Sequence, residues 1–407
     1  MFTTLILMRT LYLAAVVLVA MPLLLVACDS SDDPDPVVDP IDTAAVFATY
    51  ADIVFASYED SYDAAIALDQ AIDAFIANPT QANFDAAKQA WLDSNEPYGQ
   101  TEAYRFSNGP IDDEDGPEGL LNAWPLDEGY IDYVADPSNP GQFIRMGIVN
   151  DATTYPTIDA QLLVDLNEAG GEKNISTGYH AVEFLLFGQD FNDATTGDTG
   201  GRRPVTDYTT DADAERRKQY LRLVSDQLLA NLREMLDTWD PNGSNNYRAT
   251  FLALDTNEAL ANVFTGIGTL AKSELAVERM FVAVDNQDQE DEHSCFSDNT
   301  DRDIVTNQQG VANVYRGTYT RTDGSVVSGP SLADLVAEAD PTVAATVDAS
   351  VAAALAAVDL IPDPFDQALI NNQQVILDAV QALQTQGDNL VAAAAALGVS
   401  INNELPD

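Results

Sequence analysis

Apolar positions recur along this chain at steps of three and four, the spacing that lines one face of an α-helix. Leu221, Val224, Leu228, Leu232, Met235 and Trp239 form the clearest stripe, and Asp240-Pro241-Asn242-Gly243 stops it. The same spacing predicts a helix from Ala44 to Ile76 that breaks at Asn78-Pro79, with Thr80 placed to cap a second helix through Trp91. Further helices are predicted from Asp255 to about Val284, from Ala344 to Leu360 and from Gln367 to Leu397, the last two separated by Ile361-Pro362-Asp363-Pro364. Long helices joined by short breaks predict antiparallel bundles. Residues 106–155, 188–212 and 286–330 are instead rich in Gly, Pro, Asp and Asn, and irregular chain of such length usually builds a site. No fixed-period repeat, coiled-coil heptad run or Gly-rich nucleotide loop interrupts this pattern. The expectation is an all-α fold of two helical-bundle domains, 42–205 and 206–407, with long irregular loops that form a site.

The first forty residues break the pattern in another way. An apolar stretch from Leu11 to Ala27 follows Arg9 and runs into Leu25-Val26-Ala27-Cys28, which resembles the bacterial lipobox. Residues 1–28 are therefore expected to be a lipoprotein signal peptide with Cys28 as the lipidated residue; an uncleaved membrane anchor is the competing reading. Residues 29–41, opening Asp29-Ser30-Ser31-Asp32-Asp33-Pro34, have nothing to bury and read as a disordered acidic tether. Localisation follows: the cell envelope, hung by lipid on the periplasmic or outer face, in either membrane. No other segment is expected to be long and apolar enough to cross a bilayer.

Cysteine and charge narrow the chemistry. Only Cys28 and Cys295 occur, so a lipidated Cys28 leaves Cys295 without an intramolecular partner, and packing must stabilise the fold. Cys295 reads as a small buried residue, since no neighbouring cation would activate its thiol. Acidic residues number 66 against 18 basic, a net charge of -48. Such a surface repels phosphate backbones and anionic headgroups, which excludes nucleic acid as a partner and favours cations. Adaptation to salt accounts for the charge as a whole.

Two histidines remain, His180 and His293, each beside carboxylates. In Gly178-Tyr179-His180-Ala181-Val182-Glu183 the ring and the carboxylate are three residues apart, on one helix face. In Glu290-Asp291-Glu292-His293-Ser294-Cys295-Phe296-Ser297-Asp298 the second histidine stands among oxygen donors. Imidazole with carboxylate suits iron, zinc or manganese, and His180, Glu183 and His293 have the composition of a two-histidine, one-carboxylate site. Two readings stand for each ring: a metal ligand, or a histidine hydrogen-bonded to a local acid. Glu102 and Arg105, one helical turn apart, are either an ion pair at the start of a loop or a device that orients an acidic ligand. Calcium in the loop from Asp285 to Asp303 is a weaker reading, because the glycine-centred twelve-residue pattern is missing.

The Gly-x-His-x-x-Glu motif at 178–183 resembles the signature of the imelysin family. Tyr98-Gly99-Gln100-Thr101-Glu102-Ala103-Tyr104-Arg105-Phe106, Gly109-Pro110-Ile111-Asp112, Asn122-Ala123-Trp124-Pro125-Leu126-Asp127-Glu128 and the stretch 288–298 are similar to its iron-regulated branch. The resemblance runs from about residue 45 to 400. It implies a two-domain helical fold outside the cytoplasm and a function tied to iron supply: capture of iron, with zinc as the alternative metal, or of an iron-bearing small ligand, for transfer to iron-uptake machinery in the membrane. It also brings a metallopeptidase label. Yet a zinc peptidase of the His-Glu-x-x-His or His-x-x-Glu-His kind needs two histidines on one helix, and position 184 is Phe. As a peptidase acting on exported proteins, the chain would need Glu102 or Glu292 as base. Around the metal set His180, Glu183 and His293, the expected ligand-contacting or outer residues are Glu102, Arg105, Glu290, Glu292, Ser294 and Asp127.

Overall fold

The computed structural model describes residues 40–113, 116–191 and 200–405. The leader, Cys28 and the tether up to residue 39 lie outside the described residues.

Helix α1 (Thr43–Ala77) starts where the Asp42 carboxylate accepts from the Ala44 N–H, and α2 (Gln81–Thr101) where the Thr80 hydroxyl accepts from the Asn83 N–H. Each cap satisfies one of the N–H groups that a first helical turn leaves without a partner. α2 runs ten residues beyond the expected end at Trp91 and carries Pro97 inside it, so the Tyr98–Phe106 motif begins on its last turn and continues through a 3-10 turn over Glu102–Tyr104. Helix α3 (Gly178–Phe187) holds the Gly-x-His-x-x-Glu motif, and α4 (Ala214–Trp239) buries the stripe read from sequence. α1 packs against α2 and α4, and α3 lies between α2 and α4.

A second bundle comprises α5 (Thr256–Thr269), a π-helical continuation over Leu270–Phe281, α6 (Thr300–Arg316), α7 (Pro341–Val358) and α8 (Gln373–Ala396). The fold is all-α, two bundles joined where α6 packs on α2. Two small antiparallel ribbons accompany them, Val134–Ala135 with Phe143–Ile144 and Thr318–Thr320 with Val326–Ser328. Residues from Ile41 onward form one compact unit. α4, on the C-terminal side of residue 205, packs on α1 and α3, and a division at 205/206 remains a proposal about folding units.

Two sequence expectations change. α6 falls in the stretch 286–330 that reads as irregular, because its buried face mixes Ile304, Val311 and Tyr315 with Asp303, Thr306, Asn307, Gln308 and Asn313, and so shows no clean apolar stripe. α7 is long and apolar enough to cross a membrane, at a mean hydropathy of 1.5, contrary to the expectation that no segment after the leader is. It packs against α8 and α6 through Ala344, Val347, Val351, Ala354 and Val358, the apolar face of a bundle helix rather than a uniformly exposed one.

Candidate metal centre

All ten residues of α3 are buried, so His180 and Glu183 can find partners only inside the protein. The helix is held by donors from its neighbours: the Trp91 indole N–H donates to the Tyr179 carbonyl at 3.0 Å, and Tyr220 donates to the Ser176 carbonyl at 2.9 Å. Its first residue, Gly178, has φ +89°, and a Cβ there would stand 2.6 Å from the Leu121 carbonyl oxygen. Only glycine allows this approach. The close approach seats the helix start against the chain that leads to Trp124.

His180 and His293 meet. Their Nε2 atoms lie 3.3 Å apart with the rings nearly perpendicular, at 89°. On its other edge, each ring faces a carboxylate: His180 Nδ1 is 3.0 Å from Glu183 Oε2, and His293 Nδ1 is 2.8 Å from Asp303 Oδ2. The carboxylates are gripped in turn. The Ser297 backbone N–H and hydroxyl both donate to Glu183 Oε1, and Asp303 accepts from the Ser294 hydroxyl at 2.6 Å and from Asn95. Trp124 covers the pair, its ring 4.9 Å from that of His180.

Burial sets the charge state. It pulls His180 down to about 4, aided by Arg279 and opposed by Asp303, and drives His293 well below the usual histidine range, so both rings are neutral at neutral pH. Burial pushes Glu183 well above the usual range, against the Ser297 hydrogen bonds, and raises Asp303 to about 6. A neutral ring that donates Nδ1–H to a carboxylate presents a bare lone pair at Nε2. Where both rings carry their proton on Nδ1, two lone pairs face each other at 3.3 Å and a cation between them would be favoured; where one ring carries it on Nε2, the two rings hydrogen-bond directly. Two nitrogens bound tetrahedrally to one ion at 2.0–2.1 Å would themselves lie about 3.3 Å apart. The donor set therefore fits a borderline metal such as iron or zinc, with Glu183 and Asp303 as the carboxylates that orient metal-binding imidazoles.

The arrangement differs from the three-ligand set read from sequence. Glu183 sits on the edge of His180 that faces away from His293, so it orients the ring. Among the described residues no three His, Cys, Asp or Glu side chains gather closely enough to hold an ion. For a bound ion the pair would supply two ligands, and the others would have to come from water or from the bound group.

Beside the pair lies a cavity of about 300 Å³, bordered by His293, Trp124, Arg105, Arg279 and five carboxylates, Glu118, Glu168, Glu274, Glu278 and Asp291. Arg279 is placed by the π-helical turn, which brings residues five apart onto one face: its Nε donates to Glu274 Oε1 at 3.0 Å, and it also reaches Asn307 and Glu102. Burial raises the Glu102 carboxyl, yet Arg279 and Arg105 outweigh it and hold the group at about 2. Arg105 is ringed by Glu102, Asp112, Glu118 and Glu274, all within 3.8 Å.

The remaining expected residues are dispersed. Ser294 supports Asp303 as described. Glu292 is fully buried, with neither carboxylate oxygen in hydrogen-bonding geometry, and burial followed by Asp298 and Asp366 pushes it far up. Glu290 is exposed on a short turn, and the Asp127 carboxylate accepts from the Gly129 N–H as a helix cap. Cys295 is buried, and burial raises its thiol, as expected. Asp303, Asn95, Ser297 and Arg279 were not legible as site residues. Asp303 lies ten residues beyond His293, and Asn95 and Arg279 come from helices on either side, so no local spacing announces them.

The family model described as Imelysin matches residues 54–390. Iron-regulated protein A of Synechococcus elongatus is 27% identical over 348 residues, which cover 83% of this chain and 82% of that protein. Among solved structures, an iron-regulated protein A precursor from Parabacteroides distasonis superimposes with a TM-score of 0.68 at 20% identity, over 89% of this chain and 97% of that one. An imelysin-like protein from Psychrobacter arcticum gives 0.63 at 14% identity, over 90% and 100%. At these identities the two structures speak for the fold alone.

Proposed function

Since the chain belongs to the imelysin family, we propose that it is an exported binding protein of iron acquisition, lipid-anchored through Cys28, which takes iron onto the His180–His293 pair and passes it to uptake machinery in the membrane. The observation that carries this reading is the 3.3 Å approach of two buried imidazole nitrogens, each ring backed by an acid, beside an open cavity. The printed name of the cyanobacterial relative, an iron-regulated protein, agrees with iron as the cargo; zinc satisfies the same donors.

Two protein ligands suit capture and release better than permanent retention. Structural zinc sites close four protein ligands around the ion, and here water or the cargo's own donors complete the shell. Hydrolysis finds less support. The helix carries Phe184 where a second histidine would stand, and neither acid considered as base faces the cavity free: Glu102 is held in ion pairs with Arg279 and Arg105, and Glu292 is buried outside the cavity lining.

Equilibrium dialysis of the purified protein against ferrous iron and zinc, read by elemental analysis, tests the proposal. About one metal per chain in wild type, lost in His180→Ala, is the expected result. Wild type that binds neither metal overturns it.

A further inference from the structure

We infer that the cavity beside the histidine pair admits its cargo as a hydrated divalent cation and rejects iron carried in an anionic chelate. This inference deepens the reading above and rests on it.

The argument turns on which charges in the cavity are free. Two arginines on the wall suggest an anion site at first sight, since a forked guanidinium matches a carboxylate or phosphate. Both forks are already occupied. Arg105 has four carboxylates within 3.8 Å, and Arg279 spends its donors on Glu102, Glu274 and Asn307. An anionic ligand would have to displace a buried ion pair, leaving a carboxylate with no counterion.

The outer wall is different. Glu168, Glu278 and Asp291 border the same cavity, and among the described residues no Lys, Arg or His pairs with any of them. Glu118 and Glu274 offset the two arginines, and the three acids without a cationic partner, Glu168, Glu278 and Asp291, leave the cavity negative. Low-dielectric walls concentrate that field on an entering ion. Trp124 adds a ring face of the kind cations favour.

Size is compatible with a hydrated ion. A cavity of about 300 Å³ exceeds what a bare ion needs, whereas six waters at roughly 30 Å³ each around one ion fit inside it. The acids can hold such an ion through its water, and the imidazole nitrogens then replace part of the shell.

The test uses the full-length protein in 0.5 M sodium chloride, which screens the general surface charge. Manganese(II) binding is followed by the loss of its aqueous electron paramagnetic resonance signal, and ferric citrate is tried separately by dialysis. Wild type should bind manganese and retain no ferric citrate. Glu168→Gln with Glu278→Gln should weaken manganese binding about tenfold, whereas Asp348→Asn, an exposed acid on α7 outside the cavity lining, should leave it unchanged. Ferric citrate bound in preference to manganese would overturn the inference and leave iron capture standing. If neither binds, the inference falls, and the capture reading falls with it only where ferrous iron and zinc also fail to bind. Manganese affinity unchanged in the double variant would also overturn the role given to the outer acids.

Discussion

His180 and His293, 113 residues apart in the chain, bring their Nε2 atoms to 3.3 Å inside the protein, each ring backed by its own carboxylate. Their roles are separable by substitution. His180→Ala and His293→Ala each remove half of the protein's ligands and should abolish stoichiometric iron or zinc. Glu183→Gln keeps the shape but weakens the orientation of one ring, for which an affinity loss of about 10- to 100-fold is expected. Dialysis with elemental analysis reads all three, and circular dichroism checks that helicity is retained. Wild-type stoichiometry in His180→Ala would make that histidine structural.

A pH optimum for stability should lie near pH 5, because two sets of buried acids move in opposite directions. Burial raises Glu118 and Asp298 to about 7 and Asp301 to about 6, so each is penalised in the fold at higher pH and relieved as pH falls through those values. Asp132 and Glu102 are pushed up by burial too, but their arginines prevail and hold both at about 2. Their stabilisation is complete above the ordinary 3.8 and 4.5 and is lost as pH falls toward 2. Melting temperature measured from pH 8 to pH 2.5 should first rise and then drop. Asp132→Ala, which removes the fully buried carboxylate shared by Arg203 and Arg217 and leaves them only Asp207 and Asp211, should cost about 3 kcal/mol at neutral pH.

How much of this could be read in advance follows from where each interaction is encoded. The stripe from Leu221 to Trp239 and the cap at Thr80 are local signals, and the helices start or run where they indicate. α6 escaped because it buries polar residues that bridge two bundles, Asn307 donating to the Gly99 carbonyl and Asp303 accepting from His293. Both histidines and Glu183 were legible from their acidic neighbourhoods. Their division of labour was not, since which edge of an imidazole faces the ion depends on the far partner. The same holds for Arg105: its sequence neighbour Glu102 is visible, whereas Glu118 and Glu274, which use up its charge, come from a distant loop and a π-helical turn.

Salt should stabilise the protein. A net charge of -48 repels itself in dilute buffer, and many of the acids lie on exposed helix faces. Between about 0.05 and 1 M sodium chloride the Debye length shrinks to roughly 3 Å. The melting temperature, followed by circular dichroism at 222 nm, should rise across that range. A flat response would mean that the charges are already compensated by bound ions.

Membrane attachment should depend on one atom. If Leu25-Val26-Ala27-Cys28 is processed as a lipobox, Cys28→Ser removes the thiol that carries lipid. The variant should then stay in the aqueous phase of a detergent partition and take up no labelled fatty acid, while wild type does both the opposite. Equal labelling of the two proteins would rule out Cys28 as the anchor.

Gly178→Ala tests whether the seating of α3 is what brings the two histidines together. At φ +89° an alanine is strained whatever the surrounding space, and its methyl would press 2.6 Å from the Leu121 carbonyl. Relief requires the helix start or the Leu121 strand of chain to move, and both lead into the site: His180 is two residues on, and Trp124 three residues beyond Leu121. Donors elsewhere along α3, from Trp91 to Tyr179 and from Tyr208 to Leu185, should keep the helix itself in place. The expected cost is about 1–3 kcal/mol in urea unfolding, the range of a backbone strain of this kind. Metal affinity should fall by more than that stability loss predicts, because a displacement of a few tenths of an ångström changes the 3.3 Å spacing directly. A variant that loses stability yet binds metal as wild type does would show that the pair is positioned by its carboxylates and not by the helix start.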